Sequence, residues 1–451
     1  MSRAGKSKGE PAPQTGMQRK QKAFAIAFGL LLGLALVKFG NPVVMEKFVD
    51  APTNFYEALF NPWPAFWGYW LLAGVTVLGV IVANWKVEVP RILIVLPLVW
   101  LGWQFLAGTQ TVDATLTRST LAHFTTCVVC FFLGLFSLSQ VKEWQWVWVG
   151  ILAGFTLVLI VGLQQHFGGL EETRKYFFTY LYPTMKTVPP DYLKKMSSTR
   201  IFSTLFYPNT LAGVVLLLLP GTMGLIWGLR ERFTPGARGL LVAIVAAAAL
   251  ACLFWSGSKG GWLLMLVIGL IGALFVPFKR ELKLALVSAV LVLGLAGFFV
   301  KYSGFFQKGA TSVVARFDYW RAAVQTTKEK PLFGTGPGTF AKAYEKVKKP
   351  ESEMARLTHN DYLQQASDSG LVGFLAYTSF IGLSVYFAYK RNQFGGDWLK
   401  LGIWLGVLAW ALQSVVEFGL YIPALAWPAF GFLGWLLGLP RNQIDTAKPP
   451  G

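Results

Sequence analysis

Twelve apolar stretches run through this chain, at 23–39, 66–83, 90–107, 119–139, 144–166, 204–229, 238–256, 260–278, 282–300, 371–389, 398–417 and 421–438. Crossing the hydrocarbon of a bilayer takes about 20 mostly apolar residues in α-helix, because no water is present there to satisfy the backbone. The pattern predicts an all-α polytopic membrane protein. It would have about twelve transmembrane helices and a large, partly helical loop between helices 9 and 10. Composition agrees: 54% of residues are hydrophobic and 14% charged, where soluble domains carry about 25% charged residues. Mean hydropathy is +0.49.

The formal net charge is +19. No soluble domain is present to hold a duplex and no recognition motif appears, so nucleic acid is not an expected partner. Lys and Arg in short loops instead report topology. They favour a cytoplasmic N-terminus, with Lys86, Lys142, Arg230, Arg232, Lys279, Arg280, Lys390 and Arg391 on the same side. Twelve crossings return the C-terminus there. Two long loops then fall outside. Loop 167–203 holds six basic and three acidic residues, and loop 301–367 holds eleven and six. Long loops translocate despite positive charge, and an electropositive outer face suits an anionic substrate.

The expected organisation follows. Residues 1–22 form a disordered, basic cytoplasmic N-terminus. Helices 1–9 occupy 23–300, with loop 167–203 outside. The large loop 301–367 carries site residues, helices 10–12 occupy 368–440, and 441–451 is a cytoplasmic tail. Within the large loop, Arg316, Tyr319, Trp320 and Ala323 fall at helical spacing. Pro331 ends that segment, and the run G-T-G-P-G (Gly334 to Gly338) demands turns. It lacks the Gly-Lys-Ser/Thr of a phosphate loop. Thr339 to Val347 reads as a second helix. Thr358 to Ser369 reads as a third, with Thr358 as the possible N-cap, running into the tenth crossing after Gly370. Cys127, Cys130 and Cys252 lie inside apolar stretches and read as packing residues.

Of the three histidines, His123 lies inside the fourth stretch and His166 at the end of the fifth. His359 is the one in a polar loop. A neutral imidazole can take a proton from a hydroxyl near pH 7, and Asn360 or Asp361 could orient the ring. Lys259 sits between two crossings at their outer ends, beside Ser256 and Ser258. It either snorkels or reaches an anionic headgroup. No carboxylate cluster has metal-ligand spacing, so no metal and no cofactor are expected.

Four blocks resemble the O-antigen ligase and polymerase superfamily of bacterial membrane glycosyltransferases. Arg200 to Asn209, followed by T-L-A, is similar to the family's Arg-to-Asn-x-x-Ala entry into a span. Ser256-Gly-Ser-Lys259-Gly-Gly resembles its S-x-S-R-G-G motif, with Lys in place of Arg. Arg316 with Trp320 and then P-L-F-G-T-G-P-G-T-F resembles the start of its large periplasmic loop. His359-Asn360-x-Tyr362-Leu363 through Gly370 and Gly373 resembles its H-N-x-x-L block. The match covers roughly residues 195–375.

The resemblance implies an enzyme of the bacterial inner membrane, working at the periplasmic face. It would transfer a glycan from undecaprenyl diphosphate to an acceptor hydroxyl such as that of lipid A-core, among membrane lipids. His359 would activate the acceptor. Arg200, Lys259 and Arg316 would hold the diphosphate, with Arg321 in reserve and Asn209, Asn360 and Asp361 in support. The nearest rival within the superfamily is a polymerase, a protein O-oligosaccharyltransferase is the third reading, and a transporter of lipid-linked sugars is the rival outside it. A transporter puts ionisable residues at mid-membrane; Glu417, near the end of the eleventh stretch, is the main candidate.

Overall fold

The computed structural model describes residues 16–143, 145–184, 193, 197–307, 311–350, 352–392 and 394–440. Among these residues every regular element is a helix. From the N-terminus they are α1 (Gly16–Lys38), the short α2 (Phe55–Phe60), α3 (Ala65–Val82), α4 (Arg91–Gly108), α5 (Ala114–Phe132), α6 (Gln145–Gln164) and α7 (Leu170–Tyr176). Then come α8 (Pro208–Gly228), α9 (Pro235–Trp255), α10 (Lys259–Phe275), α11 (Arg280–Gln307), α12 (Thr311–Glu329) and α13 (Phe340–Val347). The last three are α14 (Asp361–Asn392), α15 (Trp398–Gln413) and α16 (Pro423–Gly438).

Nine of the described helices are long and apolar enough to cross a membrane. The other three expected crossings coincide with α10, α15 and α16, which are apolar but have only 17, 16 and 16 residues. At 1.5 Å per residue these span about 25 Å, short of a full hydrocarbon core. The chain is a multi-pass membrane protein.

Several boundaries differ from expectation. α1 starts at Gly16, so 16–22 is helical rather than disordered; residues 1–15 and the expected tail 441–451 lie outside the described residues. Past α6 the helix kinks at Phe167 and Gly168, then continues through α7 into the loop expected at 167–203. Residues 185–192 and 194–196 of that loop lie outside the described set. α11 runs past 300 to Gln307. α15 stops at Gln413, which leaves Glu417 in a turn rather than in a helix.

Small residues set the helix spacing. Without a hydrophobic drive between helices in lipid, close backbone approach over Gly supplies the packing. Gly29 and Gly33 on α1 face Gly150 and Gly154 on α6 so closely that an added Cβ would meet the opposite backbone. Gly402 and Gly406 on α15 lie in the same way against Pro220 and Leu217 of α8. α16 is buried along its whole length, with α1, α5, α8, α14 and α15 around it.

The Gly-rich run clasps α14. Gly334, Gly336 and Gly338 have φ of +63°, +102° and +78°, a region favourable only to Gly. Thr335 N donates to Ser367 O (3.1 Å), Gly336 N to Asp368 O (2.8 Å) and Leu371 N to Pro331 O (2.8 Å). Asp368 Oδ2 also accepts from Gly338 N and Gln364 Nε2, both at 2.8 Å. α14 breaks at Ser369 and Gly370 where the run crosses it. The run is thus a backbone brace for the helix that starts beside His359.

Replacing Gly33 by Val should force α1 and α6 apart at a cost of about 1–3 kcal/mol or more. The melting temperature of the detergent-purified protein should fall accordingly. Gly74→Val on α3, where an added Cβ meets nothing within 4 Å, should leave it unchanged. Equal melting temperatures for the two variants would refute the α1–α6 contact.

Candidate active site

Five segments meet at one end of the bundle. They are the approach to α8 (Arg200 to Asn209), the α9–α10 turn (Ser256 to Lys259), α12 with Arg316, the start of α14 (His359 to Asp361), and the α15–α16 turn with Glu417. Local chemistry sets each. Pro208 is the first residue of α8, and the Ser258 side chain caps α10 by accepting from Gly261 N (3.2 Å). Asn360 caps α14, its Oδ1 accepting from Leu363 N (2.9 Å). Thr358 is not the cap; its hydroxyl donates to Asn360 O (2.7 Å). His359 adopts φ +53°, a left-handed conformation uncommon for a non-Gly residue. Two residues on, Asp361 N donates to Ser414 O at 2.7 Å, so the strain is locked in by neighbours.

Glu417 is the centre of the network. Its Oε1 accepts from Arg316 Nη2 and from Asn209 Nδ2 (2.6 Å). Its Oε2 lies 3.1 Å from His359 Nδ1. Asn209 Oδ1 in turn accepts from Arg200 Nη2 (2.7 Å), and Arg200 Nε donates to Ser256 O (2.6 Å). The imidazole lies nearly parallel to Tyr319 at 5.9 Å and edge-on to Phe418 at 4.7 Å. The Glu417 side chain is 10% exposed and that of His359 30%, so the ring reaches solvent while its anchor does not. Burial raises the Glu417 pKa. The hydrogen bond with His359 and the charges of His359, Arg316 and Arg200 outweigh it and hold the carboxyl below its ordinary range. Burial lowers the Arg200 pKa, against the opposing pull of Glu417.

Lys259 Nζ lies 5.2 Å from the centre of the Tyr302 ring, and the charges of Arg200 and Arg316 both act on it. Lys301, counted from the sequence only as part of the basic loop, donates to Phe254 O and adds a fourth cation within electrostatic reach of Lys259. Arg316 keeps its Nε buried with no hydrogen-bond partner among the described residues.

Of the residues singled out from the sequence, Arg200, Asn209, Arg316 and His359 are joined by hydrogen bonds through Glu417, and Lys259 is coupled to them by charge. Arg321 is not drawn in: its side chain is 68% exposed and pairs with Asp318 at 3.5 Å. Asn360 and Asp361 shape the helix start and make no hydrogen bond to the His359 ring. Asp361 Oδ2 instead accepts from Leu420 N (2.8 Å). The group on the ring is Glu417, weighed from the sequence only as a transporter's carboxylate. Its signal was legible: it is the sole acidic residue across 398–440. Among the described residues no group of three or more His, Cys, Asp or Glu could hold a metal ion.

Glu417 also predicts acid behaviour. Its folded-state pKa lies below the unfolded value, so its stabilising contribution is present above the ordinary glutamate range. That contribution is lost as pH falls through the folded pKa. Unfolding of the purified protein should show an acid-side loss of stability below about pH 4.5 that is reduced in Glu417→Gln. An identical acid limb in both proteins would place Glu417 outside any ionic network.

Comparison with known proteins bears on the same residues. Residues 242–378 match a family model described as O-antigen ligase, a stretch that contains Lys259, Arg316 and His359. A curated relative from Haemophilus influenzae, described as an uncharacterized protein, is 31% identical over 174 residues, covering 33% of this chain and 43% of the relative. The match therefore spans less than half the relative's length. Residues 242–378 of this multi-pass helical chain, which include the basic loop, Lys259, Arg316 and His359, thus carry the likeness to an O-antigen ligase domain.

Proposed function

We propose that this protein is a membrane glycosyltransferase of the O-antigen ligase type. It moves a glycan from undecaprenyl diphosphate to an acceptor hydroxyl, such as one on lipid A-core, at the periplasmic face of the inner membrane. The proposed topology has twelve crossings and both termini cytoplasmic, with the site on the periplasmic face. The observation that carries the reading is the shared network of His359, Arg316 and Arg200 around one carboxylate, at the end of the bundle and beside Lys259. A base and several fixed cations within one partly buried site are what displacement of a diphosphate requires.

In the proposed step the acceptor oxygen attacks the anomeric carbon as His359 Nε2 takes its proton. The bond from that carbon to the phosphate oxygen breaks, and its electron pair leaves with polyprenyl diphosphate. Arg200, Lys259 and Arg316 stabilise the charge that builds there. The buried Nε of Arg316, which has no hydrogen-bond partner among the described residues, is a donor that a phosphate oxygen could satisfy. The proton leaves the imidazolium to water or to the diphosphate. No metal is needed, because the cations supply the charge. Two lipid-linked glycans could serve as donor and acceptor in the same site, which is the polymerase reading; an acceptor on protein is the third. A transporter is disfavoured because Glu417 lies in a turn at the bundle's end rather than mid-helix.

Loss of a general base lowers rate by about 10²–10⁴-fold. Purified His359→Ala and His359→Gln should fold, bind lipid-linked donor and transfer almost nothing. Activity of His359→Gln within a few-fold of wild type would remove the base from this mechanism.

The cations are tested separately. Arg200→Ala, Lys259→Ala and Arg316→Ala should each reduce turnover by about 10²–10³-fold, judged on folded protein. Arg321→Ala should have the smallest effect of the four. Lys259→Arg should retain more activity than Lys259→Ala, because charge is kept while geometry changes. Wild-type turnover in Lys259→Ala would reduce Lys259 to a snorkelling residue.

A further inference from the structure

Glu417 is built into the site more firmly than a structural carboxylate needs to be. One oxygen takes Arg316 and Asn209, and the other takes the imidazole. With two donors already on it, this carboxylate is an ionised acceptor. An ionised carboxylate has no proton to give, so the nitrogen 3.1 Å away must be the donor. His359 then carries its proton on Nδ1 when neutral, and its bare lone pair is on Nε2, on the far side of the ring from Glu417. Tyr319 and Phe418 flank the imidazole. A left-handed backbone at His359 brings the ring to the α15–α16 turn, 58 residues along the chain.

We propose that Glu417 is the positioning residue of this site: it fixes the His359 tautomer with Nε2 toward substrate and ties that ring to Arg316 and, through Asn209, to Arg200. The base and the phosphate cradle thereby become one mechanical unit. A shift of the cations moves the ring, and a flip that presented Nδ1 to the acceptor would break the hydrogen bond to Glu417. The carboxylate touches no substrate; it acts through His359. Anchors of this kind, a carboxylate on the remote nitrogen of a working imidazole, set both tautomer and orientation. The proposal rests on His359 being the base, but its first test does not.

The chain has three histidines, so the imidazole nitrogens of uniformly 15N-histidine-labelled protein can be assigned by removing each in turn. At neutral pH wild-type His359 should show one protonated nitrogen, Nδ1, and one bare nitrogen, Nε2. In Glu417→Gln and Glu417→Ala the two forms should mix, as in free histidine. A mixed or Nε2-protonated ring in wild type overturns the proposal, whether or not any variant folds. The second arm is kinetic, with purified protein, a polyprenyl-diphosphate-linked oligosaccharide and an acceptor glycan. Glu417→Gln should lower kcat by about 10–100-fold, with donor KM changed less than threefold. Glu417→Asp, which keeps the charge, should recover part of the loss. Unchanged kcat in Glu417→Gln overturns the positioning role. Full transfer by His359→Gln would instead overturn the catalytic reading, and leave the tautomer result standing.

Discussion

A carboxylate buried at a membrane protein's edge must be paired or neutralised, because removing an ion from water costs several kcal/mol. Glu417 meets that demand with partners 58, 101 and 208 residues away in sequence. Satisfying one group therefore fixes how α8, α12, α14 and the α15–α16 turn stand relative to each other. The rest of the site inherits its geometry from this constraint. Arg200 is positioned through Asn209, the imidazole is aimed by the other oxygen, and the aromatic rings close on what the carboxylate has already placed. Truncating any one partner leaves part of the buried carboxylate unsatisfied. The network thus holds the fold together at that end while it arranges the chemistry.

Beneath the site, the same logic recurs around a second buried acid. The Gly-rich run braces α14 through backbone hydrogen bonds, and Asp368 gathers Gly338, Gln364 and Tyr421 (3.3 Å). Glycines are needed there because a side chain at Gly334 would meet the backbone of Ser367 and Asp368. The break at Gly370 lets the part of α14 near His359 take its own direction. Rigidity below and strain at His359 belong to one design: a left-handed histidine persists only where its neighbours over-determine it.

Hydropathy made the fold legible. Each apolar stretch became a helix, and two helical pieces of the large loop fell where spacing and Pro331 put them, while the third starts at Asp361 rather than after a Thr358 cap. Ends were less legible, since α15 stops at Gln413 where polar contacts in the turn replace helical ones. Site chemistry was half legible. His359, Arg200, Asn209 and Arg316 carried local motif signals, and the bundle brings them together. Glu417 carried none beyond its isolation, because what makes it important is contacts across long sequence separations. Arg321 shows the converse: a cation one turn from Arg316 faces solvent and Asp318 instead. The matched domain, residues 242–378, likewise excludes Arg200, Asn209 and Glu417, so the hydrogen-bonded cluster extends beyond the matched domain.

The central claim is spatial: one diphosphate sits among Arg200, Lys259 and Arg316, with the sugar between it and His359. A cryo-electron microscopy map of the purified protein with a non-transferable polyprenyl-diphosphate-linked sugar tests it most directly. The account predicts phosphate density within hydrogen-bond distance of Arg316 and of at least one of the other two cations. The anomeric carbon should lie between that density and His359 Nε2. Phosphate density away from this cluster, or an anomeric carbon shielded from His359 by the diphosphate, would contradict it.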